Sequence, residues 1–383
     1  MTEEKSKNIL FILGIMEGHV TSTIEFVKDL VSLGHNVFCY VLDQFVERYK
    51  NTGAKFKVFS IEQKDLNKDR FSLLDSIQIR SLYAILDLAQ KDKEKYDYLL
   101  VDSLFDGKEM NKIFKASIVI SVHTLQHIYY PVEFIKQANE GISKLMDPLN
   151  KKYNLNMKAP FEIIPNPNAT YKLMLTSREF QSSKVPVDDS FYFIGPSSIE
   201  KRPVDKSFPF KKDLNKKLIY ISLGTVFNDN LDFFKKCINA FAFSKEFQLI
   251  LSVGKFFDLK EFGNPPNNVY IYNFVPQHQI LKEADVFISH GGLNSINERI
   301  FLSQKPLIVV PQFGDQFNNA AQIELLGAGI ALQKEEINED VIKSAVNSII
   351  RDKEKYNKGV LKLLRSFQKA RNERKTILKK LLV

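Results

Sequence analysis

The segment Val275–Ala320 constrains the fold more than any other part of the chain. A short apolar run, Val286–Ile288, is soon followed by Gly291 and Gly292, and apolar residues then recur at helical spacing. This pattern predicts a buried parallel strand, a glycine turn and the start of a helix. Such a turn is typical of a phosphate site, because a helix N-terminus presents unpaired N–H groups and a positive dipole end.

The polar residues around this turn fit the same interpretation. His290 ends the predicted strand, and Asn294 and Ser295 follow the glycines. All three side chains can donate hydrogen bonds to phosphate oxygens. Asn and Ser are also common N-cap residues. Because a glycine turn alone fits an ordinary helix cap, the phosphate interpretation depends on the neighbouring segments.

Small or polar residues also follow three other predicted strands of this half. The first segment, Leu218–Thr225, ends in Gly224 and Thr225. The second strand, Val269–Tyr272, is followed by Phe274–Gln277. The third, Pro306–Pro311, is followed by Asp315 and Gln316. Open α/β sheets bind ligands beyond the carboxyl ends of their strands. A carboxylate beside an amide suits the hydroxyl groups of a sugar. The half is therefore predicted to bind a nucleotide diphosphate that carries a hydroxyl-rich group.

The first half alternates apolar runs with helical patterns, which predicts an α/β fold with parallel sheets covered by helices on both faces. Its predicted strands are Asn8–Leu13, Asn36–Leu42, Lys57–Ile61, Tyr98–Asp102, Ser117–Val122 and Tyr171–Thr176. At 383 residues the chain is expected to form two domains. The expected boundaries are 1–200 for the N-terminal domain, 201–215 for a linker, 216–365 for the C-terminal domain and 366–383 for a basic C-terminal helix.

Candidate catalytic residues follow two strands of the first half. His19 is expected in the loop after the first strand, just before a helix, where a neutral imidazole can take a proton from a hydroxyl. Asp102 ends a later strand and is the expected carboxylate partner that fixes the tautomer of the imidazole. Ser103 and Asp106 are nearby alternatives to Asp102.

Together these motifs resemble the UDP-glycosyltransferase family with the GT-B fold, of the macrolide-glycosyltransferase type. The segments that carry the resemblance are SLGTVFN, NFVPQHQIL, ADVFISHGGLNSINE and PLIVVPQFGDQFNNA, with ILFILGIMEGHVTSTIEFVKDLVSLGHNV in the N-terminal half. The resemblance implies two Rossmann-like domains whose parallel sheets face a central cleft. It also implies an acceptor-binding N-terminal domain, a nucleotide-sugar-binding C-terminal domain and a C-terminal helix that can cross back to the N-terminal domain.

The resemblance further implies a role for each matching residue. His19 and Asp102 would form the catalytic dyad. The donor-binding residues would be Phe274 and Val275 at the base, Gln277 and Glu298 at the ribose, Thr225, His290, Gly292, Asn294 and Ser295 at the diphosphate, and Asp315 and Gln316 at the sugar. Many relatives have Trp where Phe274 stands; Phe can still stack on a base, but the change leaves uridine and deoxythymidine both open.

The implied function is an inverting, metal-independent transfer of a hexose from a UDP-sugar to a hydroxyl of an apolar small molecule. UDP-glucose is the expected donor and a TDP-sugar the alternative; both are co-substrates, and no cofactor or metal is expected. Residues predicted to line the acceptor pocket are His123, His127, Tyr129 and Phe134. The alternative functions are another GT-B enzyme, such as a nucleotide-sugar epimerase, and a non-catalytic nucleotide-sugar-binding protein.

Charge and cysteine content suggest where the chain works. The formal net charge is +9, and many of the Lys and Arg residues fall near the C-terminus. They predict an amphipathic helix that docks on its own protein, with an anionic membrane surface as the alternative partner. Nucleic acid is not expected, because no recognised binding motif accompanies the charge. Cys39 and Cys237 lie far apart in the sequence, so no disulfide framework is expected, which fits a reducing compartment. No signal peptide or membrane-spanning segment is evident. A cytoplasmic location is therefore predicted.

Overall fold

The computed structural model describes residues 6–62, 70–124, 126, 128, 132–164, 167–197, 204–226 and 228–383. The chain divides into two compact units. The first unit contains residues 1–198 and 367–383, and the second contains residues 199–366.

The first unit is built on a parallel sheet of seven strands. The strands are β1 (Asn8–Ile12), β2 (Asn36–Leu42), β3 (Lys55–Phe59), β4 (Tyr98–Asp102), β5 (Ile118–His123), β6 (Tyr171–Met174) and β7 (Phe191–Phe193). Their order is β3-β2-β1-β4-β5-β6-β7. β1 and β4 are almost fully buried, as expected of central strands covered by helices on both faces. Because these neighbours are parallel, the residues that follow β1, β4 and β5 meet at one edge of the sheet.

Six helices of the first unit precede the second unit in the chain, as far as the described residues show. They are α1 (Glu17–Ser32), α2 (Val46–Tyr49), α3 (Arg70–Ala89), α4 (Gly107–Phe114), α5 (Val132–Tyr153) and α6 (Pro160–Ile163). Two short 3-10 helices, Asp43–Phe45 and Lys50–Thr52, flank α2. α1 buries Val20, Ile24 and Val27 in the same core as β1, so the start of α1 is held against the carboxyl edge of the sheet.

The second unit has a parallel sheet of six strands. The strands are β8 (Lys217–Ser222), β9 (Phe247–Ser252), β10 (Val269–Tyr272), β11 (Val286–Ser289), β12 (Leu307–Val309) and β13 (Gly329–Ala331), in the order β10-β9-β8-β11-β12-β13. The α-helices that begin in this unit are α7 (Leu231–Phe241), α8 (Gln277–Glu283), α9 (Leu293–Ser303), α10 (Gln316–Leu325), α11 (Glu339–Arg351) and α12 (Lys353–Leu381); 3-10 helices span Leu259–Phe262 and Lys334–Glu336.

The predicted α/β class and the parallel sheets are confirmed. The third strand begins at Lys55, two residues before the predicted start at Lys57. Three strands were not predicted: β7, β9 and β13. β7 and β13 have three residues each, too few to form an apolar pattern in the sequence.

The last helix, α12, ends against the first unit through a buried arginine. Arg374 is 2% exposed and donates to the carbonyl oxygens of Ile194, Gly195 and Pro196 at 2.8–3.1 Å. It also donates to Asp29 at 2.9 Å. Burial lowers the pKa of Arg374, while Glu25 and Asp29 oppose that shift. Leu378 and Leu381 of the same helix belong to the core of the first unit, so the C-terminal helix is docked on its own protein, as the sequence predicted.

Two further sequence expectations concern compartment. Cys39 in the first unit and Cys237 in the second are both buried and free, and burial raises the pKa of each thiol. Among the residues that the structure describes, no helix combines the length and the apolar character needed to cross a bilayer.

Candidate functional site

His19 lies in the first turn of α1, which begins at Glu17, and not in the loop before the helix as predicted. The loop after β1 is short, so the helix starts almost as soon as the strand ends. The side chain is 5% exposed. A Cβ on Gly14 would lie 2.5 Å from Cβ of His19 and 2.7 Å from Oδ2 of Asp102. Only glycine at this position lets the strand end approach both side chains so closely.

Asp102 is the carboxylate partner of His19, as the sequence predicted from their places in the fold. Nδ1 of His19 lies 2.9 Å from Oδ1 and 2.8 Å from Oδ2 of Asp102, which is fully buried. The backbone N–H of Leu104 donates to Oδ1 at 3.1 Å and fixes the carboxylate. Because the carboxylate accepts a hydrogen bond from Nδ1–H, the neutral imidazole carries its lone pair on Nε2, where it can act as a base.

Thr124 is a third member of this group, and the sequence analysis missed it. Its Oγ1 lies 2.9 Å from Nδ1 of His19, and the residue is 4% exposed. Thr124 directly follows β5, the neighbour of β4 in the sheet. Its place after a strand end is the one feature that the sequence offered, and it is too common to single this residue out. Three consecutive strands of the sheet, β1, β4 and β5, therefore supply the surroundings of one imidazole.

The two alternatives to Asp102 do not contact the imidazole. Asp106 is the N-cap of α4 and accepts from the backbone N–H of Glu109 at 3.2 Å. Burial raises the pKa of Asp106, an effect that the backbone hydrogen bonds oppose. Ser103 is buried, and its hydroxyl has no hydrogen-bond partner within the described part of the chain.

The predicted acceptor-pocket residues are only partly covered by the structure. His123 is the last residue of β5, is fully buried, and its Nε2 lies 3.0 Å from Oγ of Ser121. His127 and Tyr129 lie outside the described residues, and Phe134 is described only as part of the backbone of α5.

In the second unit, the glycine turn joins β11 to α9 as predicted. Gly291 has φ +82°, and a Cβ there would overlap the side chain of Val309. The N-cap of α9 is Gly292, so Asn294 and Ser295 lie inside the first turn and are not caps. They cannot cap because the extended backbone that a cap requires falls at Gly292. Both residues are still placed beside the helix N-terminus that the sequence assigned to phosphate.

The imidazole of His290 is enclosed by two glycines. A Cβ on Gly224, which follows β8 and has φ +82°, would lie 2.7 Å from Nε2 of His290. A Cβ on Gly292 would overlap the same nitrogen. Burial lowers the pKa of His290 from 6.5 to about 4, and a backbone hydrogen bond with Ser222 partly opposes the shift. His290 is therefore neutral near pH 7 and can offer phosphate a hydrogen bond but no full positive charge.

Gln277 and Glu298, the predicted ribose pair, contact each other directly. Nε2 of Gln277 donates to Oε2 of Glu298 at 2.6 Å, and the Tyr220 hydroxyl donates to Oε1 of Gln277 at 2.8 Å. His278 Nε2 lies 2.7 Å from the other carboxylate oxygen of Glu298, although the two atoms are not aligned as a hydrogen bond. Tyr220 and His278 were not predicted to take part. The Tyr220 hydroxyl orients the Gln277 amide, and that amide in turn holds the Glu298 carboxylate.

Three more of the residues predicted to bind the nucleotide sugar lie in loops that follow the strands. Phe274 follows β10 and is 59% exposed, which leaves its ring available for stacking. Val275 is half-buried beside it, and Thr225 is exposed in the loop after β8. Thr225, Phe274 and Val275 thus follow the ends of strands of one sheet.

Asp315 and Gln316 stand at the start of α10, after β12. Oδ2 of Asp315 accepts from Nδ2 of Asn319 at 2.8 Å, and the same amide donates to the Gly291 carbonyl at 2.8 Å. Oε1 of Gln316 accepts from the backbone N–H groups of Gln312 and Phe313. The side-chain carbonyl of Gln316 therefore holds the loop together through these two hydrogen bonds. The side chain would contact a ligand mainly through its NH₂ group.

Comparison with known sequences places this arrangement in context. The sequence profile described as "UDP-glucoronosyl and UDP-glucosyl transferase" matches residues 193–371. UDP-glucosyltransferase YojK of Bacillus subtilis (strain 168) is 29% identical over 377 residues, which cover 90% of this chain and 90% of that protein. NDP-glycosyltransferase YjiC of the same organism is 31% identical over 350 residues, which cover 88% of this chain and 87% of that protein.

The fold of this chain is also similar to that of a solved structure. The glycotransferase of kitacinnamycin superposes with a TM-score of 0.78 at 22% sequence identity, covering 98% of this chain and 99% of that chain. This match confirms the GT-B fold, and the sequence matches confirm the resemblance on which the predicted roles depend.

Proposed function

The chain belongs to the UDP-glucoronosyl and UDP-glucosyl transferase family and is a glycosyltransferase, and we propose that it moves a hexose from a UDP-sugar to a hydroxyl of an apolar small molecule. The proposed reaction is a single displacement with inversion at the anomeric carbon. One observation carries the proposal: the buried contact between His19 and Asp102 at the end of β1 and β4.

In the proposed reaction, Nε2 of His19 takes the proton of the acceptor hydroxyl. The acceptor oxygen then bonds to the anomeric carbon as the bond from that carbon to the diphosphate oxygen breaks, and the nucleoside diphosphate leaves. Asp102 holds the proton on Nδ1 and stabilises the imidazolium that forms. A buried carboxylate is effective here because charges interact more strongly away from water.

The donor would be held by the loops of the second unit. Phe274 and Val275 would flank the base, and Gln277 with Glu298 would bind the ribose. Thr225, His290, Asn294, Ser295 and the backbone at Gly292 would bind the diphosphate, and Asp315 and Gln316 the sugar. The exposed ring of Phe274 and the prearranged Gln277–Glu298 pair support these assignments.

The leaving diphosphate gathers negative charge as the bond breaks. The N-terminus of α9 and the neutral imidazole of His290 are the groups proposed to meet that charge. We propose that these groups suffice without a metal ion and that no cofactor takes part. Undiminished turnover after treatment with EDTA is the expected result, and activity that returns only on adding a divalent ion would contradict it.

The donor and the acceptor are proposed at the level of class. A uridine donor carrying glucose is proposed because YojK is named a UDP-glucosyltransferase. An apolar, natural-product type of acceptor is proposed, with support from the names of two similar proteins, a glycotransferase of kitacinnamycin and an oleandomycin glycosyltransferase. His123, His127, Tyr129 and Phe134 remain the proposed acceptor-pocket residues, and the cytoplasm the proposed compartment.

The test is a screen of donors against acceptors. The purified protein is incubated with UDP-glucose, other UDP-hexoses or TDP-glucose and a panel of phenolic, macrolide and sterol acceptors, and products are identified by mass spectrometry. A hexose mass gain with UDP-glucose, and a β-linked product by NMR from the α-linked donor, is the expected result. Tight UDP binding without product across the panel would favour a non-catalytic nucleotide-sugar-binding protein, and an isomerised donor would favour an epimerase.

A further inference from the structure

The net positive charge of the protein equals the net charge of one helix. α12 contains eleven Lys and Arg residues and two Glu residues, a net charge of +9. The whole chain also has a formal net charge of +9, so the rest of the chain is balanced. Most protein surfaces mix charges of both signs. A net charge that comes from a single helix indicates that this helix can bind a negatively charged partner.

Five of the cations of α12 lie on one side of the helix. Lys355, Lys358, Lys362, Arg365 and Lys369, which we call the cationic face, are all exposed. At about 100° per residue they fall within a sector of about 80° and extend for about 21 Å along the axis. The buried residues of this helix lie on the opposite side; they include Val360, Leu363, Phe367 and Leu378.

The opposite side of α12 is already used within the protein. Phe367 packs edge to face on Phe180 with ring centroids 5.7 Å apart. A Cβ on Gly359 would overlap the backbone carbonyls of Leu326 and Gly327, so the helix lies directly against that backbone. The apolar side therefore cannot insert into a bilayer while the protein is folded, and any partner must bind the exposed side of the helix.

Within the described part of the chain, four of the five cations of the cationic face have no acidic partner. Three other cations of the helix, Arg371, Arg374 and Lys375, form ion pairs with Glu25 or Asp29. Within the described residues, no carboxylate lies at ion-pair distance from Lys358, Lys362, Arg365 or Lys369. These four charges remain available to an external polyanion.

We propose that the cationic face docks on the surface of an anionic membrane. The face is lysine-rich with one Arg, and none of the aromatic rings of α12 is exposed. Sites for single-stranded nucleic acid add aromatic rings on which bases stack, and Arg is the preferred cation for nucleic-acid recognition. Leu361, 39% exposed, projects at the border of the face and can enter the headgroup layer. The inference uses only α12 and stands apart from the proposed transfer reaction.

The test compares vesicle binding by three forms of the full chain. The first is the unchanged protein; the second carries Lys358→Gln, Lys362→Gln, Arg365→Gln and Lys369→Gln. The third is a control of equal charge with Lys235→Gln, Lys245→Gln, Lys260→Gln and Lys282→Gln, all exposed in the second unit and outside α12. Gln is a good helix former, so the altered helix should fold; thermal unfolding and glycosyl transfer to any accepted substrate check this.

Binding is measured by co-sedimentation with phosphatidylcholine vesicles with and without about 30% phosphatidylglycerol. The unchanged protein should bind only the anionic vesicles and should be released at about 0.5 M NaCl, because the contact is electrostatic. Each cation near an anionic surface contributes about fivefold to partitioning, so the second form should bind more than about 100-fold more weakly. The control form should bind within about fivefold of the unchanged protein.

Three outcomes would overturn the proposal. The first is that the unchanged protein fails to bind anionic vesicles at low salt. The second is an equal loss in the control form, which would assign binding to net charge and not to the face. The third is that the protein binds duplex DNA or RNA through these four residues and ignores the vesicles, which would assign the face to nucleic acid.

Discussion

Replacing Asp102 by Asn tests the role of the carboxylate in the proposed catalysis. The substitution keeps the shape of a fully buried side chain but removes the negative charge 2.8 Å from Nδ1 of His19. During proton transfer the imidazole becomes positive, and the 2.8 Å contact puts its charge centre about 4 Å from that of the carboxylate. At an effective dielectric constant of about 20, this attraction is about 4 kcal/mol, which corresponds to about 1,000-fold in rate.

The assay is kcat for transfer from UDP-glucose to the best acceptor of the screen, with UDP affinity measured alongside by calorimetry. Asp102→Asn should lower kcat by about 1,000-fold and leave UDP affinity unchanged within about twofold, because the carboxylate acts on the transition state. Asp106→Asn is the matched control. Asp106 caps α4 without contacting His19, and Asn is an equally good N-cap, so its kcat should stay within about threefold.

The reasoning would be refuted if Asp102→Asn, with an unchanged thermal midpoint, kept kcat within about fivefold of the unchanged protein. It would also be refuted if Asp106→Asn lost as much activity as Asp102→Asn. Either result would remove the imidazole–carboxylate attraction as the source of the rate.

Three further predictions concern the second unit. Gly292→Ala should displace the His290 imidazole, because the new Cβ overlaps Nε2, and should weaken UDP binding by about tenfold or more in calorimetry; unchanged binding would contradict the assigned role of this turn. Tyr220→Phe removes the hydroxyl that donates a hydrogen bond to Gln277, and it should raise the KM for the UDP-sugar about fivefold with kcat unchanged. A loss confined to kcat would contradict the role of Tyr220 in positioning Gln277. Burial lowers the pKa of His290 from 6.5 to about 4, so the unfolded chain binds a proton between these pH values and the folded chain does not. His290 should therefore reduce stability as the pH falls from 6.5 to about 4, and His290→Gln should show a smaller fall in thermal midpoint over that range; an equal fall would contradict the shift.

The fold class and the pairing of His19 with Asp102 could be predicted from the sequence, because both depend on strands and turns that appear as local patterns. The apolar runs of β1, β4 and β11 and the glycines after β11 are short-range signals, and each has a direct structural meaning. His19 and Asp102 could be paired because each lies near the carboxyl end of a strand in a parallel sheet.

Contacts between distant positions without a pattern were not predictable. Thr124 is 105 residues from His19, and a single Thr after a strand gives no reason to select it. Tyr220 lies within an apolar strand, where an aromatic residue is expected to be core. The start of α1 was misplaced because helix ends depend on local hydrogen bonds, such as that from Val20 N–H to the Met16 carbonyl.

The most direct test of the central claim is the rate of sugar transfer by His19→Ala, measured in a single turnover with saturating UDP-glucose and acceptor. Loss of the base should lower that rate by about 100-fold to 10,000-fold. UDP should still bind with unchanged affinity, because its proposed contacts lie in the second unit. A rate within about threefold of the unchanged protein would contradict the assignment of His19 as the base that activates the acceptor hydroxyl.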